Sequence, residues 1–294
     1  MRKNGILELL ITLAAGVWGY NLRTKELTTV FDEVTGLAQK GAWVTIALIA
    51  LSAAICVLLI VLSLLNKNKI SMRFSDAFGH KTPFPCFILC LAGAALIVFG
   101  VQWLVVTDMS LQTMLWGAFA TLSGVSVIVM AINAYRGKGS GQLAVSSMIP
   151  VIFLCIWLIL SYIDRAADPV LLNYVYEFFA IAFATMGFYY ISGFAFGKMR
   201  LRSMLVCSRI AVFFIMVHLA DDISFSQKAI YVSLALTLIV QSWLMTRNGY
   251  LYKASVVQED PVEEDEDDGS GTYDDEPQEN ENPGEPEGYT KYFN

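Results

Sequence analysis

Long apolar stretches recur along this sequence and are separated by short polar segments. Eight of them contain about 20 residues each, the length that an α-helix needs to cross a hydrocarbon core about 30 Å thick. The chain is 56% hydrophobic and only 16% charged, which excludes an ordinary soluble domain. A backbone inside a bilayer must satisfy its own hydrogen bonds, so such spans are helices. The sequence therefore predicts an all-α fold, a polytopic transmembrane helical bundle.

The predicted bundle occupies residues 1–253. Its first span resembles a secretory signal peptide, because "MRKNGILELLITLAAGVWGY" has a basic start and an apolar middle. However, Glu8 lies in the apolar part and no clear A-x-A cleavage site follows, so we expect an uncleaved helix. Cleavage would leave seven spans. The eight predicted spans are approximately residues 5–20, 42–65, 85–107, 112–135, 143–163, 170–196, 203–220 and 229–246.

The distribution of basic residues predicts the orientation of these spans. Cytoplasmic loops collect Lys and Arg. With the N-terminus inside, the internal segments contain 14 Lys and Arg residues and the external segments contain 5. This bias predicts a multi-pass protein of the cell membrane with both termini in the cytoplasm.

Residues 254–294 form a separate acidic segment. They contain 15 acidic residues and one lysine, a net charge of −14, whereas the rest of the chain has a net charge of +8. So much charge and so few apolar residues predict a disordered cytoplasmic tail. The tail is suited to dock a basic protein partner, or it serves only to keep the chain soluble. Nothing indicates nucleic-acid binding, and the oligomeric state is left open.

Ionisable residues at membrane depth are expensive and are candidates for function. Glu177 in the sixth span and His218 in the seventh are predicted at similar depth near the outer face. Helical spacing brings Asp221 and Asp222 to the side of His218, and Asn173 lies one turn from Glu177. We therefore predict one polar cluster at the outer face that could hold a cation or relay a proton; its members are Glu177, His218, Asp221, Asp222 and Asn173. The alternative is that these residues are ordinary polar groups at helix ends.

Three further features are interpreted structurally. Arg209 is nine residues from His218, on the opposite helix face, and is predicted as an intramembrane charge that extends toward the inner headgroups. Small residues at helical spacing predict packing seams, in the fourth span at Gly117 and Gly124 and in the sixth at Gly193 and Gly197. A basic inner loop that contains His80 is expected to lie on anionic headgroups.

No sequence motif predicts a metal site or a cofactor site, and no catalytic residue is assigned. The basic start, the short first span and the following "FDEVTGL" resemble uncharacterised multi-pass proteins of Clostridium-like bacteria over about 40 residues. That resemblance implies a bacterial plasma membrane.

Three hypotheses follow for the function. The leading one is a non-catalytic scaffold, assembly or sensor component that uses the tail as a docking arm. The second is a small-solute or ion transporter that uses the Glu177 and His218 region. The third is a membrane enzyme that uses the same polar cluster, although the sequence favours a protein that is not an enzyme.

Overall fold

The computed structural model describes residues 2–31, 41–65, 74–106, 110–137, 141–166, 170 and 174–259. All helices in these ranges except α3 are long and apolar enough to cross a membrane, which confirms the predicted all-α bundle of eight spans. The helices are α1 (Arg2–Thr29), α2 (Trp43–Leu65), α3 (Phe74–Phe78), α4 (Pro83–Val106), α5 (Leu111–Arg136), α6 (Gly141–Arg165), α7 (Val175–Ala195), α8 (Leu201–His218) and α9 (Phe225–Glu259).

The first helix is longer than predicted. The apolar stretch ends near residue 20, but α1 continues to Thr29. Arg23 and Glu26, which in sequence resemble loop charges, are 1% and 0% exposed and bind each other. Because their charges are paired inside the bundle, the helix continues through them.

Helices α1 and α8 run parallel and in close contact. Glu8 in the first half of α1 lies beside Arg209 at the middle of α8, and Arg23 near the end of α1 lies beside Asp221, just after α8. Between these pairs α1 carries glycines, and a Cβ on Gly19 would lie only 2.6 Å from the Val217 Cγ2 atom. Because glycine has no side chain, the two helices can approach closely here, as helices in other membrane bundles do.

Glycines also set the antiparallel contact between α4 and α5. A Cβ on Gly124 would lie 2.5 Å from the carbonyl oxygen of Gly93, and one on Gly117 would lie 2.9 Å from that of Gly100. The predicted seam at Gly117 and Gly124 is therefore a true helix contact. The predicted seam at Gly193 and Gly197 is not.

Gly193 and Gly197 instead form the C-terminal turn of α7. Gly197 has a φ of 70°, a left-handed conformation that favours glycine. The Lys198 N–H donates to the Gly193 carbonyl at 2.8 Å, and the Gly197 N–H donates to the Phe194 carbonyl. This pattern is a Schellman motif, so the two glycines serve helix termination.

Pro150 interrupts the hydrogen bonding of α6 without leaving its neighbours unsatisfied. A proline lacks the N–H that would bind the carbonyl four residues earlier, here that of Ser146. The Ser126 hydroxyl of α5 donates to this carbonyl instead, and the Ser192 hydroxyl of α7 donates to the carbonyl of Ser147. The break thus becomes a polar connection among three helices.

The short helix α3 packs into the bundle at the end where α1 begins. Phe74 and Phe78 are buried, and the Asn248 amide of α9 donates to the carbonyls of Ala77 and Gly79 at 3.0 and 2.7 Å. His80 is also buried. The aromatic side chains of this loop therefore enter the core, and its contact with the headgroups stays a prediction.

Spans α8 and α9 are the most enclosed, and α2 is the most exposed. Helix α9 extends to Glu259 and so includes the first residues of the predicted tail. The remainder of the tail, residues 260–294, lies outside the described residues, and its disorder stays a prediction.

Candidate functional site

Four buried polar residues form a network where α1 and α8 end. We call this side of the bundle the far end, and the side where α1 begins the near end. Arg23 Nη1 donates to Glu26 Oε2 at 2.7 Å, and Arg23 Nε donates to Asp221 Oδ1 at 2.6 Å. His218 Nδ1 lies 2.7 Å from the other Asp221 oxygen. We call Arg23, Glu26, His218 and Asp221 the Arg23 network.

Local sequence spacing builds each half of this network. Arg23 and Glu26 are three residues apart on α1, hence on one helix face. His218 is the last residue of α8, and the Asp221 N–H closes the following turn on its carbonyl at 2.9 Å. The Arg23 guanidinium also lies 5.1 Å from the ring centre of Tyr176, which adds a cation–π contact. The network therefore joins α1, α7 and α8.

Glu177 belongs to a second polar group at the far end. It is 8% exposed, and its Oε1 atom accepts a hydrogen bond from the Ser161 hydroxyl at 2.6 Å. Its Oε2 atom accepts no hydrogen bond from the described residues, and among them Arg165 Nη2 is the cation paired with it, at 3.5 Å. Arg165 is the last residue of α6 and Glu177 lies in the first turn of α7, so the two opposite charges lie at neighbouring helix ends.

This second group borders a cavity of about 240 Å³, which we call the Glu177 pocket. Helices α4, α5, α6, α7 and α9 all contribute to its walls. A hydrogen bond of 2.7 Å from the Gln112 amide to Asp164 joins two of them at its edge. The lining residues are Trp103, Gln112, Thr113, Trp116, Trp157, Leu160, Ser161, Asp164, Arg165, Glu177 and Gln227.

Tyr231 of α9 lies between the two groups. Its ring centre is 4.7 Å from that of His218 and 4.5 Å from that of Trp157, which lines the Glu177 pocket. Its hydroxyl is buried and forms no hydrogen bond with the described residues. The Arg23 network and the Glu177 pocket are thus neighbours that meet at one aromatic residue.

The single predicted cluster is therefore divided. His218 and Asp221 are in contact, whereas Glu177 faces Ser161 and Arg165. Asp222 is exposed beyond the end of α8, and Asn173 lies outside the described residues. The prediction places these residues at a common depth in the membrane. Hydropathy does not determine how each helix is rotated about its axis, and so it does not show which side chains face each other.

Several residues of both groups escaped the sequence analysis. The predicted first span ends near residue 20 and leaves Arg23 and Glu26 in a loop, although their spacing of three residues after an apolar run is typical of a helix that continues. Arg165 is one of the five basic residues of the predicted external segments, and its charge there indicates only topology. The positions of the three tryptophans in the sequence do not indicate a pocket, since aromatic residues are common at membrane interfaces.

Arg209 lies apart from both groups, in the near half of the bundle. It is 2% exposed and donates to Glu8 Oε2, to the Gly5 carbonyl at 3.0 Å, and to the Thr246 hydroxyl at 3.3 Å. It does not extend toward the headgroups as predicted, because Glu8 supplies a carboxylate at its own depth. Glu8, which interrupts the first apolar stretch, is the counter-ion.

The described residues contain no group of three His, Cys, Asp or Glu side chains placed to hold a metal ion. The described residues contain eight helices that are long and apolar enough to cross a membrane, and these make the chain a multi-pass membrane protein in a lipid bilayer. No known protein family, curated protein or solved structure matches it.

Proposed function

We propose that this membrane protein binds a small polar solute in the Glu177 pocket, as the first step of carrying it across the membrane. The observation that carries the proposal is the buried carboxylate of Glu177, whose Oε2 atom borders the cavity without accepting a hydrogen bond from the described residues. Leaving a buried carboxylate oxygen without a hydrogen bond is costly, and the 3.5 Å ion pair with Arg165 is a long one, so the arrangement favours a bound partner.

The size and the lining of the pocket support a small ligand. Ligand pockets are commonly about 300–1,000 Å³ and combine apolar walls with a few convergent polar groups. The Glu177 pocket is slightly smaller, at about 240 Å³, and combines indole rings with carboxylate, amide, hydroxyl and guanidinium groups. A solute of a few non-hydrogen atoms suits this space.

A ligand panel tests the proposal. The purified protein would be unfolded by heat in the presence of choline, acetate, glucose or glycine, which represent a cation, an anion, a neutral solute and a zwitterion. A ligand that binds only the folded state raises the midpoint. We expect at least one probe to do so for the wild type but not for Glu177→Gln, and that probe to enter proteoliposomes that contain the wild type. No shift with any probe, or equal shifts in both proteins, would contradict the proposal.

The acidic tail favours a second candidate function, a scaffold or sensor component that docks a basic partner. Its support is the net charge of −14 on residues 254–294, which attracts basic surfaces and is repelled by anionic lipids. The test removes residues 260–294 and leaves α9 intact. Loss of a co-purified partner would support docking, and a tail of equal length with Gln and Asn in place of the acids separates charge from length.

The cellular setting belongs to the proposal as well. The resemblance of the first 40 residues to multi-pass proteins of Clostridium-like bacteria and the excess of basic residues in alternate loops support a bacterial plasma membrane with cytoplasmic termini. In that orientation the far end, with the Glu177 pocket, faces the outside and would receive solute from there.

A further inference from the structure

We infer that the solute held by the Glu177 pocket is a compact organic ammonium ion. This inference rests on the proposed function and specifies its ligand class. Three features of the pocket carry it: an incompletely paired buried carboxylate, an aromatic wall, and an arginine that lies too far away to satisfy that carboxylate.

The carboxylate is the first feature. Ser161 satisfies one oxygen of Glu177 at 2.6 Å, whereas the other accepts no hydrogen bond from the described residues. A strong charge-assisted N–H···O contact is about 2.7–2.9 Å long. Arg165 Nη2, at 3.5 Å, is outside that range, and its side chain is 40% exposed. The buried anion therefore retains much of its attraction for a second cation.

The aromatic wall is the second feature. Trp103, Trp116 and Trp157 line the pocket, with ring centres 4.6 Å apart for the first two and 5.2 Å apart for the last two. Tryptophan is the aromatic residue that attracts cations most strongly, and quaternary ammonium ions are often held by clustered aromatic rings. An uncharged solute of the same shape would gain burial but would lack this attraction.

The third feature is the charge balance of the lining. Glu177 and Asp164 supply two negative charges and Arg165 supplies one positive charge, so these lining side chains have a formal net charge of −1. A cation neutralises the pocket and an anion would increase the imbalance. Arg165 competes with the ligand for the same Oε2 atom, and its exposed position lets it withdraw into water when the ligand enters.

This competition gives two neighbouring residues opposite roles. Glu177→Gln removes the anion that the ammonium ion needs, whereas Arg165→Gln removes the internal competitor and makes the pocket more negative. For a ligand bound through a carboxylate or phosphate group, the same two substitutions would act in the reverse sense. The sign of each effect therefore identifies the charge of the ligand.

The experiment titrates choline into the full-length protein in nanodiscs and follows tryptophan fluorescence, since three of the six tryptophans line the pocket. The uncharged isostere 3,3-dimethylbutan-1-ol and acetate are titrated alongside. We expect choline to bind and its isostere to bind at least about tenfold more weakly. Glu177→Gln should weaken choline about tenfold or more, the effect of losing a charged partner. Arg165→Gln should strengthen it about two- to fivefold, as expected for a half-exposed ion pair.

Asp222→Asn is the matched control, because Asp222 is exposed and does not line the pocket. It removes one carboxylate from the same end of the protein and should leave choline binding unchanged. Retained folding of each variant is checked by its unfolding midpoint, and Arg165→Gln keeps the test decisive if Glu177→Gln does not fold.

Other outcomes separate the two proposals. The ammonium assignment is overturned if choline does not bind but acetate does, or glucose or glycine does in the ligand panel described above. It is also overturned if Arg165→Gln weakens choline binding. In either case solute binding at this pocket stands. If choline and its isostere bind equally, the charge assignment also fails. If no probe of any charge binds, both the assignment and the proposed function fail.

Discussion

Arg209 and Glu8 form a buried ion pair, so substituting either residue alone should strongly destabilise the fold. Removing either leaves the other charged and without its partner inside the bundle, which for buried ion pairs costs about 3–5 kcal/mol of unfolding free energy. Replacing both by methionine removes both charges, so we expect most of that loss to be recovered. Unfolding of Glu8→Met, Arg209→Met and the double variant in detergent micelles measures the difference. A double variant as unstable as the worse single one would contradict the pairing.

The same residues show what a sequence can reveal at this scale. Glu177, Arg209 and His218 stand out because charge is rare in apolar stretches, and all three are buried in polar contacts. Their partners were not predicted. Glu8 and Arg209 are about 200 positions apart, and nothing in either local sequence indicates which helices become neighbours.

At the scale of helices, the contact between α4 and α5 depends on the absence of side chains. Gly124→Ala would place a Cβ 2.5 Å from the Gly93 carbonyl oxygen, so the helices must separate, and overpacking of this kind costs about 1–3 kcal/mol. Gly249→Ala in α9 is the matched control, because its Cβ would meet nothing within 4 Å and alanine favours helices. Unfolding midpoints should fall for the first variant and stay level or rise for the second. Equal effects would argue against close packing of α4 on α5.

The break at Pro150 gives a second test at this scale. Ser126→Ala would leave the Ser146 carbonyl without a donor, at a cost of about 1–3 kcal/mol. Adding Pro150→Ala restores a backbone N–H four residues after Ser146, so the double variant should regain stability. The comparison uses the same unfolding assay. If Ser126→Ala is harmless in the proline background, the serine does not compensate for the proline.

Helix existence was predictable from hydropathy, whereas helix ends and orientations were not. The eight spans of the described residues follow from apolar length, but α1 exceeds its apolar stretch by nine residues because Arg23 pairs with both Glu26 and Asp221. The pair between Arg23 and Asp221 forms only because α8 is rotated about its axis so that the residues following it face α1. The division of the predicted cluster into two groups has the same cause, because rotation about a helix axis leaves no trace in average hydropathy.

For the whole molecule, an even number of spans predicts that both termini lie on one side of the membrane; the described residues contain eight candidate spans, and the loop charges predict that this side is the cytoplasm. Reporter domains active only in the cytoplasm, fused in turn to Met1 and to Asn294, should both be active. A fusion within residues 167–173, between α6 and α7, should be inactive. Opposite signals from the two termini would mean that one helix does not cross.

The account's main claim is that the Glu177 pocket holds a small solute, and native mass spectrometry of protein released from nanodiscs tests it without choosing a ligand beforehand. The wild type is compared with Glu177→Gln, with His218→Gln in the Arg23 network, and with the exposed control Asp222→Asn. We expect a bound small molecule on the wild type, on His218→Gln and on Asp222→Asn, and its loss from Glu177→Gln. A bare wild-type chain, or a molecule retained equally by Glu177→Gln, would contradict the claim.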